Sequence, residues 1–483
     1  MATAYSPEKR TALVFCGSGA HGAYHAGALR ALQEAGVKID VVAGHGVGAA
    51  SAAVAAIDGG ARLWEQGGLW RSERVASFYR WKTVVRAAGW LTLILVGVLL
   101  VPLLFLALGL VIYPAGFLLE MLGADAGAAL LAWYSGLLQT SFSGDNLPTF
   151  VPRLGMIVLA VLALTLLAGV SIARWRASVV RRETGGWWWR IAGAPFDVLP
   201  LREAVAATVW QLIRGAAAEA PPAPVIFGRR YSEVVAENLG QPGFRELMVM
   251  ATDLDTRRDI VAALLRDPYR HEFVAPRPGR ERRAEVLDLA GTGRDHAFDI
   301  VAGALTPPLG GDAHLVTFAP DSFWRGETHR LCDRSGSVTR LLEELSAAGV
   351  SQAIVVSPVA PAGGPHRLSP PRLDLRHRLG EFIAASEAAA LRDALENARL
   401  RFDAIYVTSP AHNPVGPFDF TGAYDAASDR RHTLVEVMER GYEDAYHQFI
   451  EPVVGASGEQ LGLQSSRQVS ETRHGAEGDR GRR

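Results

Sequence analysis

The sequence predicts an α/β protein with a mostly parallel central sheet that is interrupted by a transmembrane helical hairpin. Short apolar runs alternate with helical segments along most of the chain, an order that typically gives a parallel sheet. Between residues 87 and 173 the chain instead carries two long blocks without a charged side chain. Each block is long enough to cross a bilayer as a helix.

The composition excludes some classes of function. The chain of 483 residues has 49 basic and 50 acidic residues, so it lacks the basic excess that a nucleic-acid partner normally needs. Its two cysteines, Cys16 and Cys332, cannot form a disulfide framework, which suits a reducing cytosol. Residues 1–10 are polar and contain no apolar signal-peptide core, so we expect no cleaved leader.

The two uncharged blocks predict membrane spans. The first block, residues 87–119, has 33 residues, and the second, residues 154–173, has 20. About 20 apolar residues cross the hydrocarbon core of a bilayer as a helix. Fully buried core helices are the alternative, but helices of this length in soluble proteins usually have a polar face.

The charged residues around the blocks predict the orientation of the hairpin. The segment between the blocks is acidic apart from Arg153 at its edge, whereas the outer ends are basic. By the positive-inside rule, both outer ends lie in the cytoplasm. Tryptophans at 90, 175 and 187–189 stand where an interfacial aromatic belt is expected. The flanking basic residues are Arg71, Arg74, Arg80, Lys82 and Arg86 before the first block, and Arg174, Arg176, Arg181, Arg182 and Arg190 after the second.

These blocks divide the chain into four predicted parts. Residues 1–86 and 174–458 form the two halves of one α/β domain, and residues 87–173 form the inserted hairpin. Residues 459–483 are charged and have few large apolar side chains, so we expect a disordered tail. We therefore predict a protein of the inner (cytoplasmic) membrane whose α/β domain lies in the cytoplasm.

The first 60 residues predict a β-α-β-α segment. Strands are expected at residues 11–15 and 39–43, with a helix over 23–35 between them. A glycine loop, Gly44–Gly48, then leads into a helix of small residues. Parallel sheets carry their sites at the carboxyl ends of the strands, so both glycine loops are site candidates. Further strands are expected at 246–251, 314–318, 353–357 and 404–408.

The first glycine loop allows two kinds of chemistry. Residues 17–22, with the sequence Gly-Ser-Gly-Ala-His-Gly, follow a strand and open a helix, which fits a dinucleotide-binding loop. Such a site needs an acidic residue at the end of the second strand, but Asp40 stands at its beginning. The alternative is an oxyanion hole, in which free amides stabilise a developing negative charge.

An oxyanion hole needs a nucleophile nearby, and the second glycine loop is the turn on which one is expected. A G-x-S-x-G turn between a strand and a helix exposes a serine above the sheet. Here the sequence is Gly44-His45-Gly46-Val47-Gly48, so the glycines are present and the central position has no side chain.

Four segments together resemble the bacterial type of the patatin-like phospholipase family. They match, in order, its opening strand with the G-G-G-x-R-G loop, its G-T-S-x-G-A elbow, its middle strand, and the turn, helix and strand around its aspartate. The segments are Phe15–Leu32, Val41–Ala50, Asn238–Leu247 with Ala251–Thr256, and Asp333–Gly336 followed by Leu341–Val356.

This resemblance implies a three-layer α/β fold that hydrolyses acyl esters of lipids with a serine–aspartate pair and no metal or cofactor. Carried onto this sequence, the nucleophile position is Gly46 and the aspartate is Asp333. The implied ligands are membrane lipids or acyl esters. The implied oxyanion or ligand-binding loop consists of Gly17, Ser18, Gly19, His21 and Gly22.

Three departures from the family pattern weaken the implied activity. Glycine at position 46 cannot form an acyl-enzyme. His21 replaces the arginine of the loop, and Arg334-Ser335 replaces the first glycine after the aspartate.

Other side chains near these motifs are weighed as substitutes. Ser51, Ser335, Cys16 and Cys332 are better explained as packing or turn residues than as nucleophiles. A cluster of three histidines, which could supply a general base or hold a metal, matches no established ligand spacing. Its members are His21, His25 and His45, of which His45 is the candidate for catalysis.

The sequence therefore favours a membrane-anchored, catalytically impaired protein that binds lipid or regulates another activity. An active lipid acyl hydrolase that uses an unconventional nucleophile or water at the same site is the alternative. A transporter component is weaker, because the spans carry no charged residue that could line a pathway.

Overall fold

The chain forms two units in the computed structural model. The first unit contains Met1–Arg80 and Phe196–Arg483, and the second contains Trp81–Pro195. The predicted hairpin, residues 87–173, lies within the second unit. The structure describes residues 5–142, 147–177, 193–216, 220–275, 282–320, 322–360 and 374–455. The predicted tail, 459–483, and the tryptophans at 187–189 lie outside these ranges.

The strands of the described residues are numbered in chain order. They are β1 Thr11–Phe15, β2 Val41–His45, β3 Arg80–Trp81, β4 Phe196–Asp197, β5 Glu246–Asp253, β6 Arg258–Leu264, β7 Ala284–Asp288, β8 His314–Thr317, β9 Thr328–Cys332, β10 Gln352–Val356, β11 Ala404–Thr408, β12 Ala423–Asp425 and β13 Arg430–His432.

The helices are numbered in the same way. They are α1 Gly22–Glu34, α2 Val47–Ala55, α3 Ala61–Trp64, α4 Thr83–Met121, α5 Ala126–Phe142, α6 Leu147–Ala177, α7 Leu199–Ile213, α8 Pro224–Asn238, α9 Tyr269–Val274, α10 Ala297–Ala304, α11 Ser337–Ala347, α12 Leu375–Ala398 and α13 Leu434–Ala445. A π-helical segment, Tyr446–Gly455, follows α13.

A largely parallel central sheet organises the first unit. Within the described residues its order is β11-β10-β1-β2-β5-β6-β7, with β9 beside β5 and β8 beside β9. The pairs from β11 to β5 are parallel, and β5 pairs with β6 and β9 in antiparallel fashion. This architecture agrees with the α/β class predicted from the sequence.

The central strands are apolar on both faces because helices cover both. Val14 of β1 belongs to a buried cluster that includes Leu341 of α11 and Leu391 of α12. The next residue, Phe15, points to the other face, where α2 lies so close that a Cβ on Gly48 would be 2.9 Å from the Phe15 side chain. Such burial on both sides is typical of parallel sheets.

An ion pair closes the amino-terminal edge of the sheet. Both terminal nitrogens of Arg10, before β1, donate to the two oxygens of Glu246, at the start of β5, at 2.7 Å each. Both side chains are buried, and the Arg10 guanidinium also lies 3.6 Å from the ring centre of Tyr269. The candidate site lies at the opposite end of the sheet, where the parallel strands end.

Strand β2 differs from its predicted bounds. The sequence predicts residues 39–43 and treats Gly44 and His45 as loop, but the strand runs from Val41 to His45. The reason is pairing with β5, in which Gly44 lies opposite Val249 and His45 opposite Met250. Strands β1 and β11 have the predicted bounds.

The second unit is helical. Among the described residues, α4 is the one helix long and apolar enough to cross a membrane by length and composition, and α6 contains a shorter apolar stretch, Gly155–Gly169. Helices α4 and α6 run antiparallel, since Gly169 faces Val84 and Gly155 faces Leu95. The second span of the hairpin therefore stays a prediction.

The two ends of this unit meet. The backbone amide of Lys82, just before α4, donates to the carbonyl oxygen of Pro195 at 2.9 Å. The first and last residues of the inserted segment are therefore neighbours in space.

Candidate active site

Three segments meet at the carboxyl ends of the parallel strands. The loop 17–22 follows β1, Gly46 follows β2, and Asp333 follows β9. A Cβ built on Gly46 would lie 2.4 Å from the carbonyl oxygen of Gly17 and 2.9 Å from Oδ2 of Asp333. The structure therefore brings the predicted oxyanion loop, nucleophile position and aspartate together.

The elbow has the backbone conformation of a nucleophile turn. Gly46 has φ 58° and ψ −137° and immediately precedes α2. Glycine adopts this region without steric cost, whereas other residues are strained there. The fold therefore keeps the sharp turn although no side chain is displayed on it.

The amide positions that would form an oxyanion hole are occupied by the chain. In a nucleophile elbow the residue after the nucleophile supplies one donor, which here is the amide of Val47. That amide donates to the carbonyl oxygen of Gly17 at 2.9 Å. The amide of Ala20 donates to the carbonyl oxygen of Pro417 at 2.7 Å. Gly19 lies against the same carbonyl and Gly22 against the ring of Trp70.

Asp333 is held from both sides. Its Oδ1 lies 3.3 Å from Nδ1 of His45, and its Oδ2 accepts a hydrogen bond from Ser18 Oγ at 3.0 Å. The backbone amide of Asp333 donates to the carbonyl of Thr306 at 2.8 Å. All three side chains at the centre of this arrangement are at most 4% exposed.

Glu387 on α12 is a member of the site that sequence reasoning missed. Its Oε1 lies 2.5 Å from Ser18 Oγ, and its side chain is buried. Burial raises the pKa of the Glu387 carboxyl to about 7, helped by the nearby charge of Asp333 and opposed by the Ser18 hydrogen bond.

The two short contacts of Ser18 Oγ call for a proton on one of its two carboxyl partners, and the raised pKa favours Glu387. The Ser18 hydroxyl has one proton but lies within hydrogen-bond distance of two carboxyl groups. A protonated Glu387 can donate to Ser18 Oγ while the hydroxyl donates to Asp333. This chain of donors is consistent with the raised pKa of Glu387.

His21 faces the other oxygen of Glu387. Its Nδ1 lies 3.8 Å from Oε2, and both atoms are buried with no hydrogen-bond partner among the residues that the structure describes. Burial lowers the pKa of His21 to about 4, against a smaller effect of a hydrogen bond to the Val415 backbone. His21 is therefore neutral near pH 7 and does not replace the positive charge of the family's loop arginine.

The other two histidines have different surroundings. Burial opposes a charge on His45, but its hydrogen bonds with Asp333 and Cys16 and their charges raise the pKa of His45 well above its ordinary value. His25 is fully buried, with Nε2 2.8 Å from the Cys16 carbonyl oxygen and Nδ1 3.2 Å from Ser51 Oγ. Burial lowers the pKa of His25 to about 3. His25 thus holds the backbone at Cys16, directly before the loop 17–22, and has a structural role.

Among the described residues, the remaining candidate nucleophiles form no side-chain hydrogen bond with Asp333, whose side-chain partners are Ser18 and His45. Ser51 is buried against His25, and Ser335 is half-buried in the turn after Asp333. Burial, with the charge of Asp333, raises the pKa of the Cys332 thiol to about 12, so it is not a thiolate. In the described ranges no group of three or more His, Cys, Asp or Glu side chains has the arrangement of a metal site.

A sharp turn at Gly46, a glycine loop after β1 and Asp333 thus lie together on a largely parallel sheet, the arrangement expected of an acyl-hydrolase site, with no side chain at position 46. The family model described as "Patatin-like phospholipase" matches residues 13–266, and the chain belongs to this family of lipid acyl hydrolases. The match ends before Asp333 and Glu387.

Two further comparisons add little. No curated protein matches the chain. One solved structure, described as "Crystal structure of VipD from Legionella pneumophila", is similar with 12% identity over 93% of this chain and 67% of that chain. Its TM-score is 0.29, which is too low to indicate a shared fold.

Proposed function

We propose that the protein is a membrane-anchored lipid acyl hydrolase that works without a serine at the elbow. The observation that carries this proposal is the position of Asp333. Its Oδ2 is 2.9 Å from the place of a Cβ on Gly46, so the aspartate still faces the nucleophile position. This is the alternative that the sequence left open.

The cost of burying this polar cluster supports retained chemistry. Asp333, His45, Glu387 and Ser18 are all buried, and His45 and Glu387 have shifted pKa values. Buried ionisable groups are expensive unless they are paired, and apolar residues of similar volume often stabilise a fold better. Clusters of groups with shifted pKa values are typical of functional sites.

A catalytically impaired lipid-binding or regulatory protein is the second candidate. The observation that favours it is the hydrogen bond from Val47 to the Gly17 carbonyl, which fills the expected oxyanion position. In this arrangement a substrate carbonyl has no donor at the elbow.

Membrane anchoring rests on the second unit. Helix α4 has 39 residues and would be about 58 Å long, more than the roughly 30 Å of a hydrocarbon core. Its large apolar side chains are mostly exposed, as expected for a helix that faces lipid. The antiparallel α6 supports a hairpin, and the basic flanks support an α/β unit in the cytoplasm and an anchor in the inner membrane.

The test is hydrolysis by the full chain in detergent, with nitrophenyl esters and phospholipids as substrates. We expect turnover that Asp333→Asn abolishes. Asp403→Asn is the matched control, because Asp403 forms an exposed ion pair with Lys9 and should leave turnover unchanged. A native protein that is silent on every acyl ester would refute the hydrolase and leave the lipid-binding candidate.

A further inference from the structure

We infer that Ser18 is the nucleophile of this site, so that the hydroxyl missing from the elbow is supplied by the oxyanion loop. This inference rests on the proposed acyl-hydrolase function. It concerns a residue that the family pattern places in the loop and does not assign to covalent chemistry.

The Ser18 hydroxyl lies beside the oxygen of Asp333 with which a serine at the elbow would interact. Ser18 Oγ is 3.0 Å from Oδ2 of Asp333, the same oxygen that a Cβ on Gly46 would approach. In the family pattern the elbow has serine and this loop position has glycine, whereas here the elbow has glycine and the loop has serine. Compared with the family pattern, serine and glycine are thus exchanged between the elbow and the neighbouring loop.

Ser18 holds this position without backbone strain. Its φ of −116° and ψ of 152° are extended values that any residue adopts. A serine at position 46 would instead meet the Gly17 carbonyl oxygen at 2.4 Å from its Cβ. The present loop therefore accommodates a hydroxyl at Ser18 and excludes one at Gly46.

Asp333 is arranged to act as the base for this hydroxyl. His45 binds Oδ1, which leaves Oδ2 directed at Ser18. The pairing with His45 keeps the carboxylate in one orientation, as the partner of a catalytic base commonly does.

Ser18, Asp333, the ester and water account for every bond and proton in the reaction. Ser18 Oγ forms a bond to the ester carbonyl carbon, and its proton passes to Asp333. The bond to the alcohol oxygen breaks, and the leaving alcohol takes that proton. Water then attacks the acyl group and gives a proton to Asp333, the bond to Oγ breaks, and Ser18 recovers the proton as the carboxylic acid leaves.

Substrate must displace the groups that cover Ser18 in this structure. Ser18 is 4% exposed, with Glu387 of α12 bonded to its hydroxyl. The segment that contains Pro417 lies on the loop beside it and holds the amide of Ala20. Movement of α12 and this segment would expose the hydroxyl and release the Ala20 amide as a donor for the substrate carbonyl.

Two other hydroxyls near the loop, those of Ser51 and Ser335, have no carboxylate partner among the described residues. Ser51 Oγ lies near His25 and the Val47 carbonyl, and both contacts are buried behind the loop. Ser335 follows Asp333 in the chain and is half-buried, so it serves as a matched control for proximity to the aspartate.

The experiment labels the full chain, in phospholipid vesicles and in detergent, with a fluorophosphonate probe and locates the modified peptide by mass spectrometry. We expect the label on Ser18. Turnover and labelling should fall at least a hundredfold in Ser18→Ala and stay near native in Ser335→Ala. Ser18→Cys keeps a nucleophile in place and should accept a thiol-reactive acyl analogue, and the thermal unfolding midpoint of each variant checks that it is folded.

The outcomes separate this inference from the proposed function. Turnover that survives in folded Ser18→Ala, or a label on another residue, overturns the inference while the hydrolase stands. Absence of turnover and of label in the native protein refutes both. Loss of turnover in Ser18→Ala with the native label on Ser18 supports both.

Discussion

The backbone amide of Val47 donates a hydrogen bond to the carbonyl oxygen of Gly17 at 2.9 Å, so the first amide of α2 is already paired with the loop after β1. Gly17 has φ 117°, a value that glycine tolerates and other residues rarely adopt. Rotation of the peptide after Gly17 would free this donor without side-chain rearrangement at that residue. The elbow is therefore closed to a substrate carbonyl in this structure.

Replacing Gly46 by serine should destabilise the fold and should not raise turnover above that of the native protein. The new Cβ would lie 2.4 Å from the Gly17 carbonyl oxygen, and φ 58° is unfavourable for serine. We expect a loss of roughly 1–3 kcal/mol in the free energy of unfolding. Urea unfolding of the full chain in detergent measures this loss.

Gly46→Ala is the control for that prediction, since it adds the same Cβ without a hydroxyl. Both variants should lose stability by similar amounts. A Gly46→Ser variant as stable as the native protein and more active would show that the loop opens freely.

The pH dependence of stability should report on Glu387. Its pKa is about 7 in the folded protein against 4.5 for a free carboxyl, so the folded state binds the proton more tightly. The contribution to stability is therefore full below pH 4.5 and is lost as the pH rises to about 7, by on the order of 3 kcal/mol. Glu387→Gln cannot ionise and should remove this decline.

Unfolding midpoints from pH 5 to pH 8 test this sign. The native protein and Glu387→Gln should differ little at pH 5, and the variant should be more stable at pH 8. Glu396→Gln, on the exposed face of α12, should behave like the native protein. Parallel curves for the native protein and Glu387→Gln would contradict the assignment of the proton to Glu387.

An arginine in the middle of α4 should impair membrane insertion. Leu106 is 68% exposed on this helix, and arginine at the centre of a span costs about 2.5–3.5 kcal/mol on insertion scales. Alkaline extraction of membranes should release more of the Leu106→Arg variant than of the native protein.

The matched control is Leu400→Arg, since Leu400 is 91% exposed in the α/β unit. That variant should remain with the membrane fraction as the native protein does. Equal extraction of Leu106→Arg and the native protein would contradict a lipid-facing α4.

Breaking the ion pair at the amino-terminal edge of the sheet should be costly. Arg10→Met leaves the buried Glu246 with the half-exposed side chain of Arg266 at 3.3 Å and a hydrogen bond from the Arg266 amide at 3.2 Å. We expect a loss of about 3 kcal/mol in the free energy of unfolding, because removing one partner leaves a buried charge. Lys9→Met, which removes an exposed pair, should cost about 1 kcal/mol or less. Denaturant unfolding of both variants would compare them, and equal losses would refute the buried-pair argument.

Local patterns predicted the elements around the site well. The strand and helix preceding and following loop 17–22 differ from their predicted bounds by at most one residue, because apolar runs and glycines are short-range signals. The predicted end of β2 was wrong because the strand is extended by pairing with β5, which lies about 200 residues away in the sequence.

The central contacts of the site could not be predicted from local pattern. Ser18 and Asp333 are 315 residues apart, and their hydrogen bond exists only in the fold. Glu387 did leave a signal, since it stands among Ile383, Leu391 and Ala394 on the buried face of α12. An acidic residue on an apolar helix face requires a partner, and that partner was visible only in the structure.

The contact between Lys82 and Pro195 makes the helical insertion a separable module. Because the chain returns to the point from which it left, a short linker could replace the segment without disturbing the order of strands in the sheet. Gain or loss of the proposed bilayer tether would then be one genetic event, independent of the chemistry proposed at Ser18 and Asp333. The α/β unit could thus exist with and without the helical insertion.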